Sequence, residues 1–196
     1  MPGDFLRRVP QITMEQFHAF RDSRPEEEKW ELIDGVPMMM PPPTLIHQRI
    51  ALNLILLLTA RLAAVKPEWM VSQESGLLLP GDEKYNPEPD VVVIDAEIEL
   101  DQLYAERFYF VAEVLSPSDQ PAVLDAKVAY YQSHEHNQAI LFVRQDQVEA
   151  TSYSRAGPTW RRRGLKKAQE NIAIPEIGIV GTLGELYHQT PLDPAR

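Results

Sequence analysis

The sequence predicts a mixed α/β fold in which helices flank a mixed β-sheet. Apolar residues recur at helical spacing over residues 45–65 and 121–134. Three apolar runs rich in Val, Leu and aromatic residues lie between these segments, and a fourth run, 139–143, follows the second segment. The resulting order of helix, three strands, helix and strand is that of a sheet covered by helices.

A short helix and a β-hairpin are predicted before this core. Thr13 and Gln16 have the spacing of a capping box, which indicates that a helix begins after Thr13. The dipeptide Asp34-Gly35 readily adopts the positive φ angles of a two-residue turn, so it predicts a hairpin between two apolar-rich runs. The strands of this hairpin are 29–33 and 36–40.

The core elements follow from apolar periodicity and from the residues at their ends. Thr44 is suited to cap the helix 45–65, and Ser118 or Asp119 to cap the helix that begins at Pro121. The three strands between these helices are 71–79, 90–94 and 108–115.

The C-terminal part predicts a second hairpin, with its turn at 156–158, and a short helix capped by Thr182 and Glu185. Because a typical domain has about 150 residues, we expect a single domain of 196 residues. Its parts are an N-terminal helix and hairpin (1–43), a core (44–145), and a C-terminal hairpin (strands 147–154 and 159–163) with a short helix (146–196).

Composition excludes several classes of protein. With 44% hydrophobic and 24% charged residues, the chain is globular. It has no cysteine, which excludes disulfides, thiolate metal sites and a cysteine nucleophile, and agrees with a cytoplasmic location. The longest uncharged apolar stretch, 50–60, is shorter than the roughly 20 residues of a membrane helix, so we expect no membrane partner.

The charge is unevenly distributed. The chain carries 19 basic and 29 acidic side chains, so its surface as a whole should repel phosphates. Residues 155–167, however, hold six basic side chains and no acid. This segment either forms a solvated hairpin or binds the backbone of a nucleic acid while an aromatic ring stacks on a base. The candidate binding residues are Trp160, Arg161, Arg162, Arg163, Lys166 and Lys167.

Common local motifs are missing from the sequence. It contains no nucleophile elbow, no phosphate-binding loop, no dinucleotide fingerprint and no H-E-x-x-H zinc motif. The string His134-Glu135-His136 suggests a metal site, but two histidines at a helix end without a third ligand are more typical of surface residues.

Two carboxylates are expected at one end of the sheet. Asp90 opens one strand and Glu113 lies near the end of the next, so antiparallel pairing would bring them together. Along the second strand Tyr109, Val111, Glu113 and Leu115 should share a face, which places one acid among apolar residues. Two carboxylates at a sheet end suit Mg²⁺.

A lysine could complete this site. Lys127 lies on the following helix, beside the side that should face the sheet, and could orient water or stabilise developing charge. A metal ion nearby should lower the pKa of this lysine. Each of the three residues alone is more simply structural, and the combination is what indicates catalysis.

Several strings in the chain are similar to those of a known family. WELIDGVPMMMPPPTLIHQRI, PEPDVVVID and FVAEVLSPSDQPAVLDAKVAYY resemble the Uma family of restriction endonucleases, within the PD-(D/E)xK nuclease superfamily. The resemblance covers about residues 13–187. It implies a restriction-endonuclease-like core and a nuclease that depends on Mg²⁺ or Mn²⁺.

The resemblance also assigns residues. It places the superfamily's aspartate at Asp90 and its strand acid at Glu113, with the carbonyl of Val114 as a further metal ligand. The lysine normally two residues after the acid is replaced by Leu115, so the resemblance implies that Lys127 takes its role.

Two further positions match the family less specifically. Glu74 matches a position that is often acidic, and could be a metal ligand or an exposed strand residue. His47 matches a histidine at the start of the long helix, and could contact substrate or serve in capping and packing.

The chain also departs from the family pattern. The strand after the second helix lacks the usual acid and aromatic residue, and Glu88 replaces a basic residue before Pro89-Asp90. An additional carboxylate there would repel the others unless it faces solvent or joins the metal site.

Two functions remain open from the sequence. One is a metal-dependent endonuclease acting on DNA, expected to work as a homo-oligomer, most simply a dimer. The alternative is a non-catalytic module that retains the fold and binds nucleic acid or protein. The net charge of −10 favours the module, and the combination of two acids with a lysine favours the enzyme.

Overall fold

A computed structural model describes residues 9–195 of the chain. Its helices are α1 (Met14–Asp22), α2 (Leu45–Val65), α3 (Pro121–Ser133) and α4 (Leu183–Leu186). Its strands are β1 (Lys29–Ile33), β2 (Val36–Met40), β3 (Trp69–Gln73), β4 (Gly76–Leu77), β5 (Val91–Asp95), β6 (Tyr104–Ala105), β7 (Phe108–Leu115), β8 (Ala139–Arg144), β9 (Ala150–Ala156), β10 (Thr159–Leu165), β11 (Asn171–Ile174) and β12 (Gly178–Thr182).

A six-stranded mixed sheet forms the centre of the fold, with the strand order β10-β9-β8-β7-β5-β3. Strands β7 and β8 are parallel, and α3 makes the crossover between them. The other neighbouring pairs in this sheet are antiparallel. The predicted mixed α/β class with helices and a mixed sheet is therefore confirmed.

The two faces of the sheet bury different helices. On one face, α2 contributes Ile50, Leu54, Leu58 and Leu62 to a core that also contains the C-terminal hairpin β11–β12 and α4. On the other face, Tyr130 and Tyr131 of α3 pack in a second core. This arrangement places α3 directly over the strand that carries Glu113.

Local signals at the N-terminus predicted the structure closely. Thr13 and Gln16 form the capping box that starts α1. Asp34 and Gly35 have φ angles of 49° and 75°, as the predicted turn between β1 and β2 requires. Thr44 accepts a hydrogen bond from the His47 N–H and so caps α2, which has the predicted bounds.

Other elements differ from the prediction. The expected strand 71–79 is interrupted at Glu74, whose positive φ of 49° ends β3 before β4 begins. The expected caps of α3 are absent, because Gln120 is the N-cap and makes no side-chain bond. The hairpin β11–β12, whose strands are short, was not predicted from the sequence.

The side-chain alternation along β7 is also shifted. A register irregularity opposite Val93 and Ile94 turns Tyr109 to the α2 face, where its ring stacks on Trp69 at 3.9 Å. Beyond this irregularity, Val111 and Leu115 pack on the α3 face, as predicted. Glu113 lies between them on the same strand and therefore faces α3.

Helix α2 is strongly apolar, although Arg49 and Arg61 limit its uncharged run to residues 50–60. By length and composition it could cross a membrane, with a mean hydropathy of 1.5 over its best window. The core helix of a globular protein passes the same test, and here one side of α2 packs against the sheet and α4. The expectation that the protein has no membrane partner therefore stays a prediction.

The expectation of surface histidines after α3 is wrong for His134. Its side chain is buried, stacks on Phe108 at 4.0 Å, and bonds through Nε2 to the carbonyl of Glu106 at 3.1 Å. Its Nδ1 accepts the N–H of His136 at 3.3 Å, so both ring nitrogens have partners when the ring is neutral. Burial accordingly lowers the pKa of His134.

This neutral histidine should make the protein sensitive to mild acid. The unfolded chain binds a proton on this ring near pH 6.5, whereas the folded protein resists doing so because its pKa is lowered. The free energy of unfolding should therefore fall as the pH drops below about 6.5. Urea denaturation between pH 5 and 8 measures this effect, and His134→Asn should flatten the profile. Parallel profiles for the two proteins would contradict this prediction.

Candidate active site

One end of the sheet brings together the two predicted carboxylates. Strand β5 is antiparallel to β7, with Val91 opposite Ala112. Asp90, which precedes β5, and Glu113, near the end of β7, therefore lie at the same end of the sheet. Both border a cavity of about 500 Å³. The predicted antiparallel pairing of the two strands is confirmed.

Neighbouring groups hold the carboxylate of Asp90 in place. The N–H of Val114 donates to its Oδ2 at 2.6 Å, which ties the start of β5 to the end of β7. His47, in the first turn of α2, places its Nε2 3.2 Å from the same oxygen. Burial disfavours protonation of His47, but its bond to Asp90 and nearby acids raise its pKa overall. His47 therefore contacts a candidate site residue directly, and the two roles considered for it, substrate contact or capping and packing, stay predictions.

Glu113 and Lys127 form a buried ion pair. The Nζ of Lys127 lies 2.9 Å from Oε1 of Glu113, and only 3% of the lysine is exposed. Tyr131, one helical turn further along α3, donates its hydroxyl to the same oxygen at 2.6 Å. Lys127 does not extend to solvent. It is part of the wall of the cavity.

A third carboxylate, which was not predicted from the sequence, completes this cluster. Glu31 of β1 is 2% exposed and lies 2.8 Å from Nζ of Lys127 through Oε2. Its Oε1 accepts the N–H of Glu88 at 2.8 Å, two residues before Asp90. Glu31 therefore links the N-terminal hairpin, α3 and the segment leading into β5. A single acid within the apolar run Trp30 to Ile33 is the same pattern that predicts Glu113 as a site residue.

The charges in this cluster shift each other's pKa values. Burial raises the pKa of Glu113, Lys127 opposes the rise, and Glu31 and Asp90 add to it. Burial disfavours the charged form of Lys127, but Glu113 and Glu31 outweigh this effect and raise its pKa. This direction describes the protein without a metal ion, so the lower pKa expected for Lys127 beside a bound ion stays a prediction.

Three further acids, Glu74, Glu88 and Asp119, border the cavity. Glu74 forms an ion pair with Lys29 of β1 and lies in the break between β3 and β4, so it is not a strand residue. Glu88 is oriented by the bond from its N–H to Glu31, and burial raises the pKa of its carboxyl, with a further rise from Glu31.

The predicted basic segment lies away from this cavity. None of its six candidate residues borders the cavity, and β10 is separated from β7 by two strands. At about 4.8 Å per strand, the separation is about 14 Å. Part of the charge is paired, since Arg163 contacts Glu170 at 2.9 Å and Lys166 contacts Glu149 at 3.3 Å. The Trp160 ring lies under the guanidinium of Arg155 at 4.7 Å.

The donor set suits an ion that retains water. Among residues 9–195, no three His, Cys, Asp or Glu side chains come close enough to hold a metal by themselves. Asp90 and Glu113 nevertheless border one cavity, and Lys127 and Tyr131 both donate to Oε1 of Glu113. Mg²⁺ is commonly held by one or two carboxylates together with waters, so these residues fit it.

Comparison with known proteins identifies the family. A family model described as "Putative restriction endonuclease", the Uma2 family, matches residues 14–181 of the chain. The chain belongs to the Uma2 family. The resemblance seen in its sequence strings is thereby confirmed, and the candidate residues Glu31, Asp90, Glu113 and Lys127 all fall within the matched region.

The fold of this Uma2 protein is also found in a solved structure. It is similar to a crystal structure described as "a putative nuclease belonging to DUF820 from Anabaena variabilis ATCC 29413", with a TM-score of 0.71. The match covers 90% of this chain and 97% of the other, at 16% sequence identity, so the likeness concerns the fold. No curated protein matches the chain.

Proposed function

We propose that this Uma2 protein is a metal-dependent endonuclease that hydrolyses phosphodiester bonds in DNA. The observation that carries the proposal is the position of Asp90 and Glu113 at one sheet end, in one cavity with Lys127. A binding module would not need a lysine buried between carboxylates beside that cavity. Membership of the family supports the same reaction class.

Asp90 and Glu113 would hold Mg²⁺ or Mn²⁺, with the carbonyl of Val114 as a further ligand. The ion would supply Lewis-acid activation of the phosphate and of a water nucleophile. His47 and the Val114 N–H orient Asp90, while Lys127 and Tyr131 orient Glu113. These contacts hold the carboxylates in position before the substrate arrives.

Lys127 would act on the reacting groups without binding the ion. Its ammonium is fixed between Glu31 and Glu113, so it can stabilise developing negative charge without a conformational search. Glu74 also borders the cavity, where it forms an ion pair with Lys29. It is a second candidate ligand for the metal ion.

Mg²⁺ titration by calorimetry, paired with cleavage assays on plasmid and single-stranded DNA at low salt, tests this function. We expect binding of the ion and Mg²⁺-dependent nicking by the wild-type protein. A folded protein that neither binds Mg²⁺ or Mn²⁺ nor cuts either DNA would overturn the proposal and favour the non-catalytic module.

The basic segment should contribute to affinity for DNA at a distance from the cavity. Replacing Arg161, Arg162 and Arg163 with Ala should weaken binding and reduce the slope of log affinity against log salt by about one per lost phosphate contact. Fluorescence anisotropy across a salt titration measures this slope.

A matched control variant replaces three other arginines with Ala and so changes the net charge by the same amount. These arginines, Arg21, Arg24 and Arg107, lie outside the basic segment. If both triple variants change the slope equally, the effect belongs to net charge and the basic segment has no specific role.

A further inference from the structure

Helix α2 presents an uncharged face to solvent along its whole length. Only 33% of its most apolar window is buried. The exposed residues of the helix are all apolar, small or neutral: Leu45, Gln48, Leu52, Leu56, Thr59, Ala60, Ala63 and Ala64. A helix that faces water normally carries charged and polar residues on its outer side, so α2 has the composition of a helix with a partner on this face.

Five of these residues form a continuous stripe, which we call the α2 stripe: Leu45, Leu52, Leu56, Thr59 and Ala63. At about 100° per residue, they fall within about 60° of the helix circumference. Its three leucines are 83%, 43% and 58% exposed, in chain order. None of the five residues borders the cavity of the candidate active site. The stripe is therefore a separate surface that the proposed hydrolysis does not use.

The α2 stripe complements itself in size, because its leucines precede its small residues. An antiparallel α2 of a second copy can be placed with a twofold axis at the level of Leu54. Leu52 of each copy then faces Leu56 of the other, and Leu45 faces Ala63. Large side chains meet small ones at both ends of the stripe, and leucines pack together at its centre. A twofold dimer requires a patch that complements itself in this way.

The charges around α2 also favour a second copy. Arg49 bonds to the side chain of Gln189, and Arg61 donates to the carbonyl of Ile177 at 2.7 Å, so both arginines of the helix bond within their own chain. Two stripes can therefore meet without burying an unpaired charge. With a net charge of −10, two copies repel each other elsewhere. An anionic membrane fits less well, since helices that lie on membranes use Lys and Arg on their polar face.

The area of the α2 stripe indicates how firmly a second copy binds. A helix of 21 residues is about 31 Å long and presents a face about 10 Å wide, which gives about 300 Å². A standard interface buries about 800 Å² on each partner. The stripe supplies the centre of a smaller interface, so the expected dimer dissociates on dilution.

We propose that the α2 stripe is a homodimerisation surface, on which a second copy of this chain packs its own α2 in the antiparallel direction. The proposal goes beyond the nuclease function and does not depend on it. It specifies the contacts at the centre of the interface, Leu52 against Leu56, and at its ends, Leu45 against Ala63.

Sedimentation equilibrium of the full chain over a range of concentrations tests the proposal. We expect a monomer–dimer equilibrium with a dissociation constant of about 10 µM. Leu52→Glu should raise this constant at least about a hundredfold, because each dimer would bury two unpaired carboxylates. Leu100→Glu is the matched control, since Leu100 is fully exposed outside α2, and it should dimerise like the wild type.

A mixing experiment tests the antiparallel arrangement. Leu56→Lys alone should also be monomeric, and an equimolar mixture with Leu52→Glu should form a heterodimer, because the introduced ammonium and carboxylate face each other. Circular dichroism checks that each variant is folded. If Leu52→Glu does not fold, Ala63→Trp replaces it, since a large ring opposite Leu45 should weaken the dimer without adding charge.

The outcomes decide the proposal. A wild-type chain that stays monomeric up to about 200 µM overturns it, and binding of that monomer to phosphatidylcholine vesicles would assign the stripe to a membrane. A wild-type dimer that persists unchanged in Leu52→Glu or Ala63→Trp also overturns it. Failure of the mixture to form a heterodimer rejects the antiparallel pairing.

Discussion

Replacing Asp90 with Asn should reduce Mg²⁺-dependent DNA cleavage to background and remove the heat of Mg²⁺ binding in calorimetry. The substitution takes away the negative charge that the ion requires. The amide oxygen of Asn can still accept the Val114 N–H that Asp90 binds at 2.6 Å, so the junction of β5 and β7 should persist. Loss of activity would then reflect loss of the ion.

A carboxylate on the same strand provides the control for Asp90. Asp95 ends β5, about 17 Å from Asp90 along the strand, where it accepts the Tyr109 hydroxyl at 2.6 Å. Asp95→Asn should leave both ion binding and cleavage near wild-type values. Equal losses in the two variants would show that any carboxylate on β5 matters only for folding, and full activity in Asp90→Asn would remove Asp90 from the site.

Replacing Lys127 with Met should both inactivate and destabilise the protein. The lysine is 3% exposed, and its removal leaves the buried carboxylates of Glu31 and Glu113 without their cation. Breaking a buried ion pair in this way costs about 3 to 5 kcal/mol of unfolding free energy. Urea denaturation measures the cost, and the cleavage assay should be run where the variant is still folded.

A second variant and a surface control separate charge from packing. Adding Glu31→Gln to Lys127→Met should recover part of the lost stability, because one uncompensated charge disappears, while cleavage stays absent. Lys66→Met breaks a more exposed pair with Glu176 and should cost less than about 1 kcal/mol. If Lys66→Met and Lys127→Met lower the free energy of unfolding equally, the buried cluster stabilises the fold no more than a surface ion pair does.

Local chemistry explains which parts of the fold could be predicted. Capping residues at Thr13, Thr44 and Thr182 and the turn at Asp34-Gly35 act within a few residues, so their effect is visible in sequence. The break at Glu74 results from a positive φ that most L-residues avoid, and no glycine marks it. Such a backbone conformation depends on the surrounding packing and cannot be predicted from the amino-acid sequence alone.

The candidate site was predictable where it follows from strand pairing. Asp90 and Glu113 could be placed at one sheet end because neighbouring antiparallel strands leave few alternatives. Glu31 could not be placed, since β1 belongs to a separate two-stranded sheet whose docking against α3 depends on tertiary contacts. The ion pair between Glu31 and Lys127 could not be predicted for the same reason.

The bond between Lys127 and Glu31 joins residues 96 positions apart in the chain. Contacts of such long range form late in folding, because closing a large loop costs entropy before the contact compensates for it. The charged cluster therefore cannot assemble on a nascent chain until α3 has been synthesised and the hairpin β1–β2 has docked. The proposed nuclease site would therefore become complete only after the hairpin β1–β2 has met α3.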